Sequence, residues 1–420
     1  MLRIASKGLS PLKPASLPNR IRNLPRELAL FITASFAIGM AGSLVDSSLN
    51  NFLNDTFALS GFQRSFLEFP RELPGVITLF LSAALWFLGS RRLGSVAMIF
   101  AALGIFLIGF SSSSYHLMVV FLFIYSMGNH LFMPVSTTVG MELATEGRTG
   151  RRLGQLNAIR NAATILGSFI VFIGFKYLNF QYQTSFTIAS VAFLLAALLM
   201  FLMQPKRSAA PRVFLKLRRE YSLYYVLSVL AGSRKQIFIT FAPWVIVTIF
   251  HKPTQTLATL YTLGGIIGIL FQPLLGRAID RFGERLVLTT EALMLVFVCL
   301  GYGFSRSVLP ENTAFLVVCG CYLLDQMLFS VSMARSTFMQ KIALDPADIQ
   351  PALSAAVSID HVFSISVALL GGVIWNNFGF QYVFLMGMVI AVINFFVARK
   401  IQLPGVAVLA PAPPPIRERD

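Results

Sequence analysis

Charge is scarce in this sequence, and acidic charge scarcest of all. Only 12% of the 420 residues are charged, with Asp+Glu at 18, whereas average soluble domains carry about 25% charged residues. So few polar side chains cannot cover a soluble protein of this size. Cysteine is also rare, and three in 420 residues build no disulfide framework. Cys299, Cys319 and Cys321 have no metal-ligand spacing. The chain has no Walker loop, no zinc-ligand pattern and no G-x-S-x-G. These absences argue against ATP-driven pumping and hydrolase chemistry. What is abundant is apolar: 56% hydrophobic residues and 39 Phe, a composition that excludes intrinsic disorder. Lys+Arg at 34 makes the net charge +16. High hydrophobicity and excess basic charge conflict in water but fit together at a membrane.

A bilayer-spanning helix needs about 20 mostly apolar residues. Twelve such runs lie near 28–52, 69–89, 95–112, 115–140, 154–175, 182–204, 222–249, 255–275, 287–305, 312–336, 354–376 and 381–398. Short loops join them, none long enough for a soluble catalytic domain. Residues 1–26 are basic and rich in Ser and Pro. They lack an apolar stretch followed by a small-residue cleavage site, so they read as a retained tail. Loops on the side of both termini hold 25 of the 34 basic residues, the opposite loops hold four (Arg64, Lys176, Lys252, Arg306), and five lie within spans. By the positive-inside rule both termini are cytoplasmic. The basic charge is therefore a topology signal, which speaks against a nucleic-acid partner. Lys206–Arg219 could also touch anionic lipid heads.

The spans divide into two sets of six. The expected organisation is a cytoplasmic basic tail (1–26), a six-helix half (27–204), a cytoplasmic basic linker (205–221), a second six-helix half (222–400) and a Pro-rich cytoplasmic tail (401–420). Between spans eight and nine stands Gly276-Arg277-Ala278-Ile279-Asp280-Arg281-Phe282-Gly283-Glu284-Arg285, and between spans two and three Arg91-Arg92-Leu93-Gly94. A repeated element at a repeated position argues for duplication.

In these features the chain resembles the major facilitator superfamily over residues 27–400. That family carries G-x-x-x-D-[RK]-x-G-[RK]-[RK] after the second span of each half. The second copy here matches at Gly276, Asp280, Arg281, Gly283 and Arg285 and departs at Glu284. The first keeps only Arg92 and Gly94, with Phe87 at the first Gly position and Arg91 at the Asp position. The resemblance implies an all-α fold of twelve membrane helices in two pseudo-symmetric halves, with a binding site near the bilayer midplane. It also implies that spans one, four, seven and ten line the cavity, with two, five, eight and eleven beside them. The repeated loop is then a cytoplasmic gate, whose charges would otherwise merely anchor it in the interface.

Ionisable groups within spans are costly and usually face a cavity. Asp46, His130, Arg160, Arg234, Lys235, Glu291, Asp325, Arg335, Asp360 and His361 all fall within predicted spans. Polar neighbours at helical spacing form stripes: Ser43, Asp46, Ser47, Asn50; Ser126, Asn129, His130, Thr137; Asn157, Arg160, Asn161, Thr164, Ser168; Asp325, Ser332, Ser336; Ser354, Ser358, His361, Ser364. In lipid such stripes face other helices or water. Asp325, Asp360, Asp46 and His361 are candidate proton carriers. Arg234, Arg160, His130, Asn50 and Asn161 are candidate substrate ligands. His130, Asp325 and Arg234 sit midway along their spans, where they could meet. Structural ion pairs, such as Arg160 with Asp360, are the alternative. Glu68, Arg71 and Glu72 before span two read as a capped helix start or an outer gate.

The expected function is secondary active transport of a small polar solute, anionic or zwitterionic ones included, coupled to protons. No enzyme activity, cofactor or metal is expected. The expected setting is a monomer in a bacterial or archaeal cytoplasmic membrane. An exporter of amphipathic compounds or a lipid flippase is the second reading, and a non-transporting sensor the third. Span five reads Ala162-Ala163-Thr164-Ile165-Leu166-Gly167-Ser168, without the Gly-Pro-x-x-Gly-Gly element carried by many antiporters of the family.

Overall fold

The computed structural model describes residues 25–144, 149–205, 218–345 and 348–402. Almost all of the basic tail, most of the linker and almost all of the Pro-rich tail lie outside them. The described residues are helical, with no strand among them. In chain order the helices are α1 (Arg26–Phe57), α2 (Gly61–Phe66), α3 (Glu68–Ala84), α4 (Gly89–Ser111), α5 (Tyr115–Glu142), α6 (Thr149–Tyr177), α7 (Tyr182–Leu202), α8 (Ser222–Thr248), α9 (Thr254–Val308), α10 (Glu311–Phe329), α11 (Ser332–Ile342), α12 (Ile349–Phe378) and α13 (Phe380–Ala398). Nine helical stretches among the described residues are long and apolar enough to cross a membrane.

Local chemistry sets several boundaries. Ala58 in the left-handed region ends α1. Ser60 then caps α2: its hydroxyl accepts from the Gln63 amide (3.2 Å) while the Gln63 side chain accepts from the Ser60 amide (3.0 Å). Ser114 caps α5 through the Leu117 amide. The segment read as a loop between spans eight and nine is instead nearly all helical. α9 runs through it as two arms broken only at Gly283, whose φ of 77° favours glycine.

Three apolar clusters form the core. One gathers α1 and α4–α7, including Phe31, Leu44, Phe186 and Phe193. The other two are built from residues after 220. Trp244 of α8, only 1% exposed, nevertheless belongs to the first cluster, and Trp375 of α12 packs against the first two. Glycines allow the closest approaches. A Cβ on Gly104 would sit 2.3 Å from the Tyr125 amide, and one on Gly128 2.4 Å from the Ala97 carbonyl oxygen, so α4 and α5 pack backbone to backbone. Gly268 has open space around it, and a Cβ on Gly264, one turn earlier, would meet the Gln326 side chain. The outer faces of α4, α7 and α13 are exposed and apolar: Leu103 and Phe106, Leu194 and Leu198, Val389 and Phe396. These are spans three, six and twelve, which are not among the spans expected to line the cavity or stand beside it.

The two ends of the bundle differ. At the end carrying Arg26, Arg91 donates to the Gln204 carbonyl (2.9 Å) and pairs with Glu142 (3.5 Å) and Glu27 (3.8 Å). In the second half Tyr221, Asp348 and Ile401 mark the corresponding end. At the opposite end the halves touch: Asn51 donates to the Lys252 carbonyl (2.9 Å), and the Tyr182 hydroxyl lies 3.4 Å from that of Thr254.

Candidate functional site

A cavity of about 380 Å³ lies between the two halves. α1 contributes Asp46 and Asn50, α2 Arg64, α3 Arg71, α8 Phe238 and Pro243, α9 Tyr261, and α10 Tyr322, Asp325 and Gln326. Each side chain arrives for a local reason. Asp46 and Asn50 are one helical turn apart on the same face of α1, while Ser43 and Ser47 on the adjoining face are buried. Ser43 turns to α6, its hydroxyl donating to the Thr164 carbonyl (2.7 Å) and lying 2.5 Å from that of Ser168. The polar stripe on α1 therefore has two jobs, cavity lining and helix glue. Tyr261 and Tyr322 meet edge to face, their ring centroids 6.0 Å apart.

Two buried charge networks flank this cavity. In the first, Glu68 is fully buried and accepts from Arg64 (2.7 Å), Arg71 (3.1 Å) and, across the seam, Gln236 (2.9 Å). Arg64 also donates to Asn50 (3.2 Å) and lies over the Trp244 ring at 5.9 Å. Glu68 is thus the centre of an ion cluster rather than a helix cap, and Arg64 is buried rather than in an outer loop. A usable signal existed: Arg64, Glu68, Arg71 and Glu72 fall on one helical face, and Ser60-x-x-Gln63 announces a helix start.

In the second network Arg234 donates to Asp325 and to Glu291 (3.2 Å), and Arg335 donates to the other oxygen of Glu291 (3.1 Å). Arg234, Glu291 and Asp325 are 2–3% exposed. Four charges from α8, α9, α10 and α11 thereby balance to zero. Arg234 and Asp325 meet as their equal depth suggested, but the guanidinium is already engaged by two carboxylates. Lys235, next in sequence but about 100° around the helix, pairs instead with Asp360 (3.0 Å). Arg160 does not reach Asp360; it donates to Asn157 (2.7 Å), one turn away on α6. Neither Arg160 nor Asn161 lines the cavity.

His130 does not join Asp325. Its ring lies 5.2 Å from that of His361, and His361 Nδ1 is 2.7 Å from Glu72. Of the α5 stripe, Ser126 and His130 therefore face this cluster, not the cavity. Of the candidate proton carriers, the cavity gathers Asp46 and Asp325. Asp46 is exposed to it and makes no hydrogen bond or ion pair among the described residues.

The repeated loop elements behave differently from each other. In the first copy Arg92 donates to the Phe201 carbonyl and lies over its ring (3.8 Å), and Gly94 admits the Met200 side chain. Arg91, where the family pattern has Asp, is the residue that ties α1, α5 and the end of α7 together. In the second copy Gly276 has open space, and Asp280, Arg281 and Arg285 are exposed. The departing residue, Glu284, is buried and pairs with Lys341 (2.7 Å). Side-chain hydrogen bonds that join the halves include Asn51–Lys252, Tyr182–Thr254, Gln236–Glu68 and His361–Glu72. They lie mid-bundle or at the end away from Arg26.

A family model described as Major Facilitator Superfamily matches residues 31–358. The chain belongs to the Major Facilitator Superfamily. It is a membrane transporter, not an enzyme. Its fold is similar to that of the nucleoside transporter NupG (TM-score 0.71, 13% identity, 90% of this chain and 100% of that one). A D-xylose-proton symporter is also similar (TM-score 0.66, 16% identity, covering 88% and 97%). No curated protein is significantly similar in sequence.

Proposed function

We propose that this superfamily member is a secondary active transporter that moves a small polar solute by alternating access, coupled to protons. The observation that carries the reading is the cavity shared by both halves, where Asp46 and Asp325 stand beside Asn50, Gln326, Tyr261 and Tyr322. Its volume falls in the usual range of small-molecule sites, about 300–1,000 Å³. Hydroxyl and amide groups between aromatic walls suit a solute with several hydrogen-bonding groups. Carboxylates in a bundle interior are the usual proton carriers of such proteins.

Several features support the architecture. Counting the arms of α9 separately and adding α3 and α8 to the nine candidate spans gives twelve membrane helices. The division of the apolar clusters near residue 205 supports two six-helix halves. The basic excess on the terminal side supports cytoplasmic termini. With the seam bonded away from that side among the described residues, and Asp280, Arg281 and Arg285 exposed there, the conformation reads as open toward the cytoplasm. Asp280 and its neighbours then engage the other half in the opposite state.

Uptake into proteoliposomes, with and without a pH gradient, tests this. Nucleosides and D-xylose come first in the panel, because structural neighbours are named for them. Gradient-driven accumulation of one solute is expected, and Asp46→Asn or Asp325→Asn should remove the gradient dependence. Flux that ignores the gradient in the unaltered protein overturns proton coupling. No flux of any solute by folded protein overturns transport.

A further inference from the structure

Glu72, His130 and His361 offer one ligand atom each, and these three atoms lie within 4.8 Å of one another. We propose that they form a transition-metal site, of the kind that takes Zn²⁺, bridging the two halves of the protein.

The chemistry of the donors is the first reason. Two imidazoles and one carboxylate are a set that zinc uses when it keeps a fourth position open. Imidazole selects zinc-like ions over Mg²⁺ and Ca²⁺, which prefer oxygen. Zinc–ligand bonds of about 2.0–2.2 Å place tetrahedral donors about 3.4 Å apart, so small side-chain rotations close the site.

Orientation is the second reason. His130 Nδ1 is 3.0 Å from the Ser126 carbonyl oxygen. A carbonyl can only accept, so Nδ1 carries the proton and the Nε2 lone pair is free. The Ser126 hydroxyl, 3.1 Å from the same nitrogen, donates in turn to the Arg71 carbonyl. Metal-bound histidines are characteristically held this way, by a carbonyl or carboxylate on the second ring nitrogen. His361 Nδ1 lies 2.7 Å from a Glu72 oxygen, so these two donors already stand at about the separation that one ion would bridge.

Space is the third reason. Gly75 lies one turn beyond Glu72, and a Cβ there would stand 2.8–2.9 Å from three atoms of the His361 ring. The absent side chain lets the imidazole lie against α3. The Arg71 guanidinium, the nearest cation on α3, is directed to Glu68 and not into the cluster. Glu72 and His130 come from one half and His361 from the other, so the ligand set is complete only while the halves stay in this arrangement. An ion bound here therefore selects this conformation over its alternatives.

The chain has four histidines, and the other two, His116 and His251, are exposed. The test uses full-length protein carrying His116→Ala and His251→Ala, titrated with Zn²⁺ in the absence of solute. One saturable site per chain is expected, weakened by about tenfold or more in His130→Gln, His361→Gln and Glu72→Gln. Absence of saturable binding overturns the proposal, as does affinity unchanged in both histidine variants. X-ray absorption on the same Zn²⁺-loaded background protein needs none of these three variants to fold. Two imidazole nitrogens at about 2.0–2.1 Å are expected, and a shell with fewer overturns the assignment. Mg²⁺ competing at equal concentration also overturns it.

Discussion

Replacing Arg234 with Met asks what the α8–α11 charge network does for the bundle. The substitution removes two hydrogen bonds, to Asp325 and Glu291, and leaves those two carboxylates with Arg335 alone. Two accounts give different magnitudes. If only hydrogen bonds matter, the loss is about 1 kcal/mol, because interhelical bonds within membranes average about 0.6 kcal/mol each. If charge balance matters, one carboxylate is left uncompensated in a site where Asp325 and Glu291 are 2–3% exposed. Breaking a buried pair by removing one partner costs about 3–5 kcal/mol, a factor between about 10² and 10⁴ in the unfolding equilibrium. We expect the second. The double variant Arg234→Met/Asp325→Asn removes one charge of each sign and leaves Glu291 with Arg335. It should therefore be more stable than Arg234→Met by about 2 kcal/mol, although it carries one more substitution. Reversible unfolding of the purified proteins in mixed micelles measures this. A double variant no more stable than Arg234→Met refutes the charge-balance reasoning.

Other substitutions test separate contacts. Gly128→Ala should lower stability by about 1–3 kcal/mol, since its new methyl meets the backbone of α4, whereas Gly268→Ala, with open space, should be neutral in the same unfolding assay. Gln236→Ala removes the hydrogen bond across the seam to Glu68; it should loosen the closed end, seen as faster labelling of a cysteine introduced at Asn50. Gly75→Val should displace His361 and reduce Zn²⁺ affinity by about tenfold or more, while leaving the melting of the rest of the bundle nearly unchanged. Lys341→Met leaves Glu284 buried without its cation; a destabilisation of about 3 kcal/mol or more is expected, with the reverse pair Glu284→Lys/Lys341→Glu recovering part of it.

The helices were legible because a bilayer demands length and hydrophobicity, and both are properties of the sequence alone. Each expected span overlaps helical residues, although the tenth is divided between α10 and α11. The eighth and ninth are joined as α9, which Gly283 breaks where the loop pattern placed it. Depth along a span was also legible, which is why Arg234 and Asp325 were expected to meet. Rotation about the helix axis was not. It separates Lys235 from Arg234, turns Ser43 to α6 and sends His130 to His361 rather than to Asp325. Stripes show that a helix has a polar face, but which neighbour that face meets depends on packing across hundreds of residues. The Arg64–Glu68–Arg71 cluster was obscured for a related reason: short α2 turns a segment that reads as an exposed connection into the bundle interior.

Trp244 and Trp375 occupy the seam, the first within the core of the opposite half and the second stacked on Phe241 at 5.6 Å while closing over Gly61. They are two of only three tryptophans in the chain. Any rocking of one half against the other must alter the surroundings of both indoles. The molecule thus contains its own optical gauge. Its intrinsic emission should respond to solute, to protons and to Zn²⁺ without any attached dye, so a screen for what this transporter carries can begin in a cuvette with the unaltered protein.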